Sequence, residues 1–205
     1  MLAGTLDVTN EQEVHRFVAD VHSQFGRVDI CVTNAGGPPS KSFAETSVDE
    51  WRRAAELNLM STVFFAKETL PLMQARHWGR FITITSMTVK QPVEGLILSN
   101  SIRSAVVGLV KTLSNEYGQH NILVNNVCPG YTATDRLIEL EERIATREGI
   151  TREQVVARWA SQAPLGRIGE PEEFANLVVF LASERASYIT GTSIAVDGGY
   201  VKSAW

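Results

Sequence analysis

Hydrophobic residues follow two alternating patterns along the chain, one with helical spacing and one of short, nearly continuous apolar runs. The helical pattern is clearest near the N-terminus, where apolar residues recur three or four positions apart at Val14, Phe17, Val18, Val21 and Phe25. The apolar runs are rich in β-branched residues and lie at 28–33, 81–85, 122–127 and 193–196. Helical segments separate these short runs, which predicts a parallel α/β sheet covered by helices on both faces.

Capping residues indicate where the helices begin. Ser47 with Glu50 predicts a capping box that opens a long helix, and Thr9 with Gln12 predicts another at the start of the first helix. Further helices are predicted at about 98–117 and 171–181, the second with a proline at its first position.

Size and composition are those of a soluble globular domain. The chain has 205 residues, 44% of them hydrophobic and 20% charged, enough for one domain over 1–205 with a substantial core. A net charge of −4, with no block of Lys or Arg, argues against a nucleic-acid partner. No apolar run approaches the roughly 18 residues that cross a bilayer, and the N-terminus lacks a signal-peptide pattern. We therefore expect a cytoplasmic protein without membrane contact.

The two cysteines, Cys31 and Cys128, each lie in an apolar run that predicts a strand. If one further strand separates these two, their Cα atoms are two steps of about 4.8 Å apart, beyond the roughly 7 Å limit for a disulfide. We expect two buried free thiols.

A charged stretch at 135–165 interrupts the alternation of strands and helices. It includes Glu139-Leu-Glu-Glu-Arg143 and Arg152-Glu153, and it predicts a helical insertion between a strand and a helix. Ligands of α/β sheets bind at the carboxyl ends of the strands, so an insertion there can form a substrate lid. The alternative is an exposed helical pair with no gating role.

Small and polar residues follow two of the predicted strands. Residues 33–37 read Thr-Asn-Ala-Gly-Gly and residues 129–134 read Pro-Gly-Tyr-Thr-Ala-Thr. Small residues at a strand end let a ligand approach the backbone, although an ordinary turn has the same composition. Asn58 is a polar residue in an amphipathic helix, where the simplest interpretation is a solvated side chain.

Taken together, these segments resemble the classical short-chain dehydrogenase/reductase family, and within it the 3-oxoacyl-acyl-carrier-protein reductase type. The resemblance runs from about Leu2 to Gly199. It rests on motifs in matching order and spacing: Asp7-Val8-Thr9, Asn34-Ala35-Gly36, Leu57-Asn58, Ser86, Pro129-Gly130, and Gly191 through Asp197-Gly198-Gly199. The implied fold is a Rossmann-like, doubly wound parallel α/β sheet.

The resemblance implies roles for the matching residues. Ser86 would hydrogen-bond the carbonyl or alcohol oxygen of a small-molecule substrate, and Asn58 would hold a water molecule of a proton relay. The implied cofactor is NAD or NADP, and we expect no metal site. Its implied neighbours are Asp7 and Val8 at the adenine, Asn34, Ala35 and Gly36 at the adenine ribose, and Pro129, Gly130, Thr132 and Thr134 at the nicotinamide.

The chain departs from the family at the two residues that handle the proton. Ser99 stands where the family has a tyrosine, and Arg103 where it has a lysine. An aliphatic hydroxyl is shorter than a phenol and a far weaker acid, since the phenol has a pKa of about 10. Arg103 keeps the positive charge and could bind ribose hydroxyls, but it releases no proton near neutral pH. Ser99 and Arg103 complete the candidate catalytic set with Ser86 and Asn58.

Two other residues are candidates for a substitute proton donor. Tyr131 follows the Pro-Gly turn, and Lys90 lies four residues after Ser86. Each is otherwise an ordinary loop residue. Loss of a positioned general acid typically removes about 10²–10⁴ of rate.

A second departure concerns the N-terminus. Family members begin with a strand and a glycine-rich turn whose amides hold the cofactor pyrophosphate, and no such turn occurs in this sequence. Residues 2–7 correspond to the family's third strand, so we expect an N-terminally truncated sheet that lacks the first two strands and their helices. The run at 28–33 would then be an open, apolar edge. Three explanations of the missing segment are open: a truncated reading frame, a shortened domain, or one half of an assembly that a partner chain completes.

Two functions are compatible with this resemblance. The first is a divergent NAD(P)(H)-dependent oxidoreductase that acts on a carbonyl or secondary alcohol and is similar to 3-oxoacyl reductases. The second is a catalytically weak or inactive binding or oligomerisation protein, or a truncated fragment unable to bind cofactor. The family's usual assembly implies a homodimer or homotetramer.

Overall fold

A computed structural model describes residues 1–204, and these contain a four-stranded parallel sheet. The strands lie side by side in chain order: β1 (Ile30–Thr33), β2 (Gly79–Ile84), β3 (Ile122–Pro129) and β4 (Ser193–Val196). Cys31 lies opposite Phe81, which in turn lies opposite Val124. The predicted parallel sheet is confirmed.

Helices connect the strands. In chain order they are α1 (Glu11–Phe25), α2 (Val48–Ala55), α3 (Ser61–Ala75), α4 (Ile97–Tyr117), α5 (Asp135–Glu148), α6 (Arg152–Gln162) and α7 (Pro171–Ala182). A π-helical turn, Glu56–Met60, joins α2 to α3. The capping box of Ser47 and Glu50 is confirmed. The predicted Thr9 cap is wrong, because the side chain of Asn10 accepts hydrogen bonds from the first amides of α1.

The helices cover both faces of the sheet, which is the doubly wound, Rossmann-like arrangement. On one face α3 and α4 pack over the strands, and Leu70, Phe81, Val110 and Val124 are buried there together. On the other face α7 packs over β2, β3 and β4 with Leu181 fully buried. The sheet therefore divides the core into two apolar layers, and loops lie at the carboxyl ends of the strands.

Residues 2–7 do not form the predicted strand. A strand needs a neighbour to satisfy its backbone groups, and no strand of the described chain pairs with this segment. Asp7 instead shapes the turn before α1, where its carboxylate accepts hydrogen bonds from the Thr9 amide at 2.9 Å and the Thr9 hydroxyl at 2.8 Å. These bonds lower the pKa of the Asp7 carboxyl.

The first strand, β1, is an open edge of the sheet, as predicted. Ile30 and Val32 are 45% and 43% exposed, whereas Cys31 and Thr33 are buried. Successive side chains of a strand point to opposite faces, so one face of β1 is covered and the other is bare. A bare apolar edge of this kind favours association with another strand.

Both cysteines are free and buried, as predicted. Cys31 lies on β1 and Cys128 on β3, and β2 separates them. The distance across two strand spacings excludes a disulfide between them.

The segment 135–165 folds into α5 and α6, which pack against each other. Their contact is apolar, with Leu137, Val155 and Trp159 buried between them. Charged residues on the outer side form ion pairs, such as Arg158 with Glu148 at 2.7 Å, whereas Glu141 is buried and pairs with Arg152 at 3.1 Å. A gating role for this pair stays a prediction.

Candidate active site

The segments that follow β1, β2 and β3 meet at one edge of the sheet, because the carboxyl ends of parallel strands lie together. Arg103 bridges the first two segments by donating to the carbonyls of Ala35 and Thr85. The hydroxyl of Thr85, next to Ser86, lies 3.5 Å from the Cys128 sulfur and bridges the second segment to the third. The fold thus brings together the predicted segments 34–36, 86 and 129–134.

Arg103 is buried and holds the ends of β1 and β2 together. It is 7% exposed, and its Nη1 donates to the carbonyls of Ile84 at 3.1 Å and Thr85 at 2.9 Å. Its Nη2 donates to the carbonyls of Ala35 at 3.2 Å and Gly36 at 3.4 Å. Burial lowers the pKa of Arg103 to about 10, so the side chain remains charged near neutral pH. Four of its five N–H groups therefore donate hydrogen bonds to main-chain carbonyls.

Asn58 is buried in the π-helical turn rather than solvated. It is 5% exposed, and its Nδ2 donates to the Gly36 carbonyl at 2.9 Å. Its Oδ1 is buried and has no hydrogen-bond partner within the described chain. A π-helical turn interrupts the regular hydrogen bonding of a helix and is frequent at functional sites. The unpaired oxygen provides an acceptor for a small polar group.

Ser86 and Ser99 are connected through Thr88. The Ser86 hydroxyl begins a 3₁₀ turn by accepting a hydrogen bond from the Thr88 amide at 3.2 Å. The Thr88 hydroxyl lies 3.1 Å from that of Ser99, and both hydroxyls are buried. Ser86 itself is only half-buried. Of the two serines, Ser86 is therefore the more accessible.

The turn after β3 holds the predicted nicotinamide-side residues. Pro129, Gly130 and Thr132 are half-buried. Thr134 is exposed and caps α5, where its hydroxyl accepts a hydrogen bond from the Leu137 amide at 3.4 Å. Thr134 therefore orients the first turn of the helical segment 135–165.

Gly130 lies too close to the turn after β4 for any larger residue. A Cβ at this position would lie 2.7 Å from both Cα and Cβ of Asp197. We expect Gly130→Ala to destabilise the protein by about 1–3 kcal/mol, because the added methyl group forces two backbone segments apart. Urea unfolding measures this loss. Gly108→Ala is the control, since a Cβ there meets nothing within 4 Å, and equal stability of both variants would contradict the close contact.

A small cleft of about 140 Å³ lies beside β1 at this edge. Five residues of the predicted site line it: Val8, Asn34, Ala35, Asn58 and Arg103. The Thr33 hydroxyl also lines it and, like Asn58 Oδ1, is buried without a partner in residues 1–204. Gly36 keeps open space where a Cβ would point, whereas Asp7 does not line the cleft.

The two candidate substitute proton donors have different surroundings. The ring of Tyr131 stacks on Trp159 with centroids 4.3 Å apart and meets Tyr200 edge-on at 5.5 Å. Burial, and then Tyr200, raises the pKa of the Tyr131 phenol, which opposes release of its proton. Lys90 ends the 3₁₀ turn that Ser86 begins and is half-buried. Lys90 is thus the candidate nearer to Ser86 along the chain.

Sequence reasoning did not identify two features of this edge. Thr88, the partner of Ser99, could have been found from its position two residues after Ser86, where a serine commonly caps a turn. The hydrogen bonds of Arg103 to four carbonyls had no signal in the sequence, since they depend on how α4 lies across two strand ends.

Within residues 1–204 no helix has both the length and the apolar character needed to cross a membrane.

Comparison with known proteins agrees with this geometry. The family model described as Enoyl-(Acyl carrier protein) reductase matches residues 2–201. The chain is 33% identical to the 3-oxoacyl-[acyl-carrier-protein] reductase FabG of Aquifex aeolicus, with 95% of the chain and 74% of that protein covered. It is 35% identical to the short chain dehydrogenase/reductase astE of Aspergillus oryzae, with 94% and 72% covered. Among solved structures, the L-sorbose reductase of Gluconobacter frateurii complexed with NADPH and L-sorbose superposes with a TM-score of 0.91 at 34% identity, covering 97% of the chain and 76% of that protein. The chain therefore belongs to the short-chain dehydrogenase/reductase family of oxidoreductases.

Proposed function

We propose that this protein is a divergent NAD(P)(H)-dependent reductase of carbonyl compounds, similar to 3-oxoacyl reductases, with weak proton donation. The observation that carries the proposal is the position of Ser86. Its half-buried hydroxyl lies at the carboxyl end of β2, in the edge that also holds residues 34–36 and 129–134. This is the edge at which open α/β sheets bind their ligands.

The residues present fit parts of a nicotinamide dinucleotide. The small cleft beside β1 carries two buried, unpaired polar atoms, Thr33 Oγ1 and Asn58 Oδ1, and Gly36 leaves the backbone accessible. Val8, Asn34 and Ala35 would hold the adenosine side, and Pro129 to Thr134 the nicotinamide side. Within the described chain no glycine-rich turn follows a strand beside β1, so the pyrophosphate would depend on other contacts. NADPH is the first cofactor to test, because the related L-sorbose reductase structure contains it.

When bound, the nicotinamide cofactor supplies the hydride. The chain's own contribution is to bind and orient the substrate: the Ser86 hydroxyl would donate a hydrogen bond to the carbonyl oxygen that becomes the alcohol. Arg103 and Asn58 hold the Gly36 carbonyl and so fix the loop on which the cofactor would lie. Orientation of this kind contributes to rate independently of proton transfer.

Proton delivery is the weak step in this proposal. The hydroxyl of Ser99 is buried and paired with Thr88, and an aliphatic hydroxyl is a poor general acid. The guanidinium of Arg103 does not release a proton near neutral pH, and it is hydrogen-bonded to main-chain carbonyls. The proton would then come from water or from Lys90, and turnover would be slow.

A second candidate function is a binding or oligomerisation protein that retains the fold. The observation that favours it is that both substituted residues form hydrogen bonds within the protein: Ser99 with the Thr88 hydroxyl, and Arg103 with main-chain carbonyls. A homodimer or homotetramer belongs to either proposal.

Cofactor titration and a substrate assay separate the two functions. We expect NADPH or NADH to bind weakly, with slow reduction of β-ketoacyl or simple carbonyl substrates. Ser86→Ala should lower kcat/KM by about 100-fold or more, because the hydrogen bond to the developing alcohol is lost, while cofactor affinity is unchanged. Ser101→Ala, at an exposed position of α4, is the matched control.

Tight cofactor binding without turnover of any carbonyl substrate would reject the reductase in favour of the binding protein. Absence of cofactor binding would instead support a fragment that needs a further polypeptide segment.

A further inference from the structure

The segment that follows β4 contacts both the loop after Ser86 and the end of α6. We propose that this C-terminal strap, residues 197–202, fixes the Ser86 loop (residues 87–93) and the end of α6 relative to each other, with Tyr200 and Lys202 as positioning residues. The catalytic consequence rests on the proposed function, whereas the positioning itself does not.

The strap has a defined conformation of its own. The Asp197 carboxylate accepts hydrogen bonds from the amides of Gly199 at 2.9 Å and Val201 at 2.8 Å. Gly199 has a φ of +83°, and a Cβ there would lie 2.9 Å from the Pro164 ring. Gly199 therefore lets the strap turn closely against the segment that follows α6.

Tyr200 packs against both elements that the strap joins. It is 7% exposed and forms a buried apolar cluster with Met87 and Ala163. Met87 is the residue after Ser86, and Ala163 is the residue after the last turn of α6. One buried cluster that contains Tyr200 thus joins the Ser86 loop to the end of α6.

Tyr200 reaches α6 by a second route. Its ring meets that of Tyr131 edge-on, and Tyr131 stacks on Trp159 of α6 with an interplanar angle of 10°. Tyr131 follows the Pro129–Gly130 turn, so the three rings also connect α6 to the predicted nicotinamide side. Aromatic pairs of this geometry stabilise beyond the area that they bury.

Lys202 connects the same two elements by hydrogen bonds. Its amide donates to the Gln91 side-chain oxygen in the Ser86 loop at 2.8 Å. Its ammonium donates to the Gln162 carbonyl, at the last residue of α6, at 3.0 Å and to the Gly199 carbonyl at 3.1 Å. A cation at a helix C-terminus also interacts favourably with the helix dipole.

These contacts would restrict movement of α6 but not of α5. The strap holds the C-terminal end of α6, whereas α5 has no contact with Tyr200 or Lys202 among those described. If the helical pair opens, the end of α6 stays with the Ser86 loop. A change in the strap would then alter the placement of Ser86 without touching a substrate.

Amide hydrogen exchange of the full chain, followed by mass spectrometry, tests the strap without any assay of activity. In Tyr200→Ala we expect exchange to accelerate by about tenfold or more in both 87–93 and 152–163, because local opening no longer has to break the shared aromatic contact. Peptides from β3 should exchange at the parental rate. Tyr200→Phe should restore protection, since its ring keeps the packing.

Tyr188→Ala is the matched control, because this tyrosine is fully exposed, and it should leave both segments unchanged. Lys202→Met provides a second variant with an intact aromatic cluster, and faster exchange at the end of α6 is expected. The proposal is overturned if neither segment or only one of them responds to Tyr200→Ala. Equal acceleration everywhere, β3 included, also overturns it, since Tyr200 would then act on global stability alone.

Discussion

Replacement of Arg103 by methionine is expected to destabilise the protein by about 3 kcal/mol and to lower its Tm by roughly 6–12 °C. Methionine fills much of the space but donates no hydrogen bond, so the carbonyls of Ile84, Thr85 and Ala35 lose the Arg103 donor. The Gly36 carbonyl keeps its hydrogen bond from Asn58. A buried acceptor left without a partner costs about 1–3 kcal/mol, and entering water offsets part of the sum. Urea unfolding, with the midpoint and slope both recorded, measures the effect.

Arg103→Lys should give an intermediate loss, because an ammonium has three donors and lacks the planar fork that reaches two strand ends. Arg16→Met is the control, since Arg16 is exposed on α1 and such changes usually remain within about 0.5 kcal/mol. Wild-type stability of Arg103→Met would mean that the four hydrogen bonds contribute nothing to the fold.

The double change Ser99→Tyr and Arg103→Lys is expected to raise kcat for carbonyl reduction by about 10²–10⁴. A phenol at position 99 would extend past Thr88 toward Ser86, the side on which the substrate oxygen would lie. Stability should fall at the same time. Thr88 is buried, so the added ring overpacks the site by about 1–3 kcal/mol, and the new ammonium replaces only part of the carbonyl contacts of the guanidinium. Single-turnover kinetics at saturating cofactor measures the chemical step.

Ser99→Phe with Arg103→Lys is the matched control, because it has the same ring without the hydroxyl. If this variant accelerates the reaction as much as the tyrosine variant does, the gain comes from packing and the proton argument is wrong. If the tyrosine variant binds cofactor but reduces nothing faster, another step limits the reaction.

The regular elements were predictable because each has a local cause. The apolar runs of β1 to β4 and the capping box of Ser47 and Glu50 depend only on neighbouring residues, and all were confirmed. A strand at 2–7 was implied only by the family resemblance, and this segment has no strand to pair with in the described chain. The first cap moved from Thr9 to Asn10 because both residues can accept the same amides, and sequence does not rank them.

The positions of the candidate residues at the strand ends were predictable, but their contacts were not. The strand-end residues 34–36, 86 and 129–134 were identified from motifs, and the parallel sheet brings them to one edge. Asn58 was expected to be solvated on pattern alone, yet the π-helical turn directs it inward to the Gly36 carbonyl. The partners of Ser99, Arg103 and Tyr200 are far from them along the chain and meet them only across the fold, so no spacing rule reveals them.

Cys31 gives the bare edge strand a chemical reporter. Burial raises the pKa of its thiol to about 12, so it carries almost no thiolate at neutral pH while β1 stays in place. Only the thiolate reacts with alkylating reagents, and Cys31 therefore becomes reactive when β1 detaches from α3. Cys128, buried on the inner strand β3, becomes reactive only on wider opening. The ratio of the alkylation rates of Cys31 and Cys128 would thus report whether a further strand covers β1. Any polypeptide that covers β1 should slow alkylation of Cys31 more than that of Cys128.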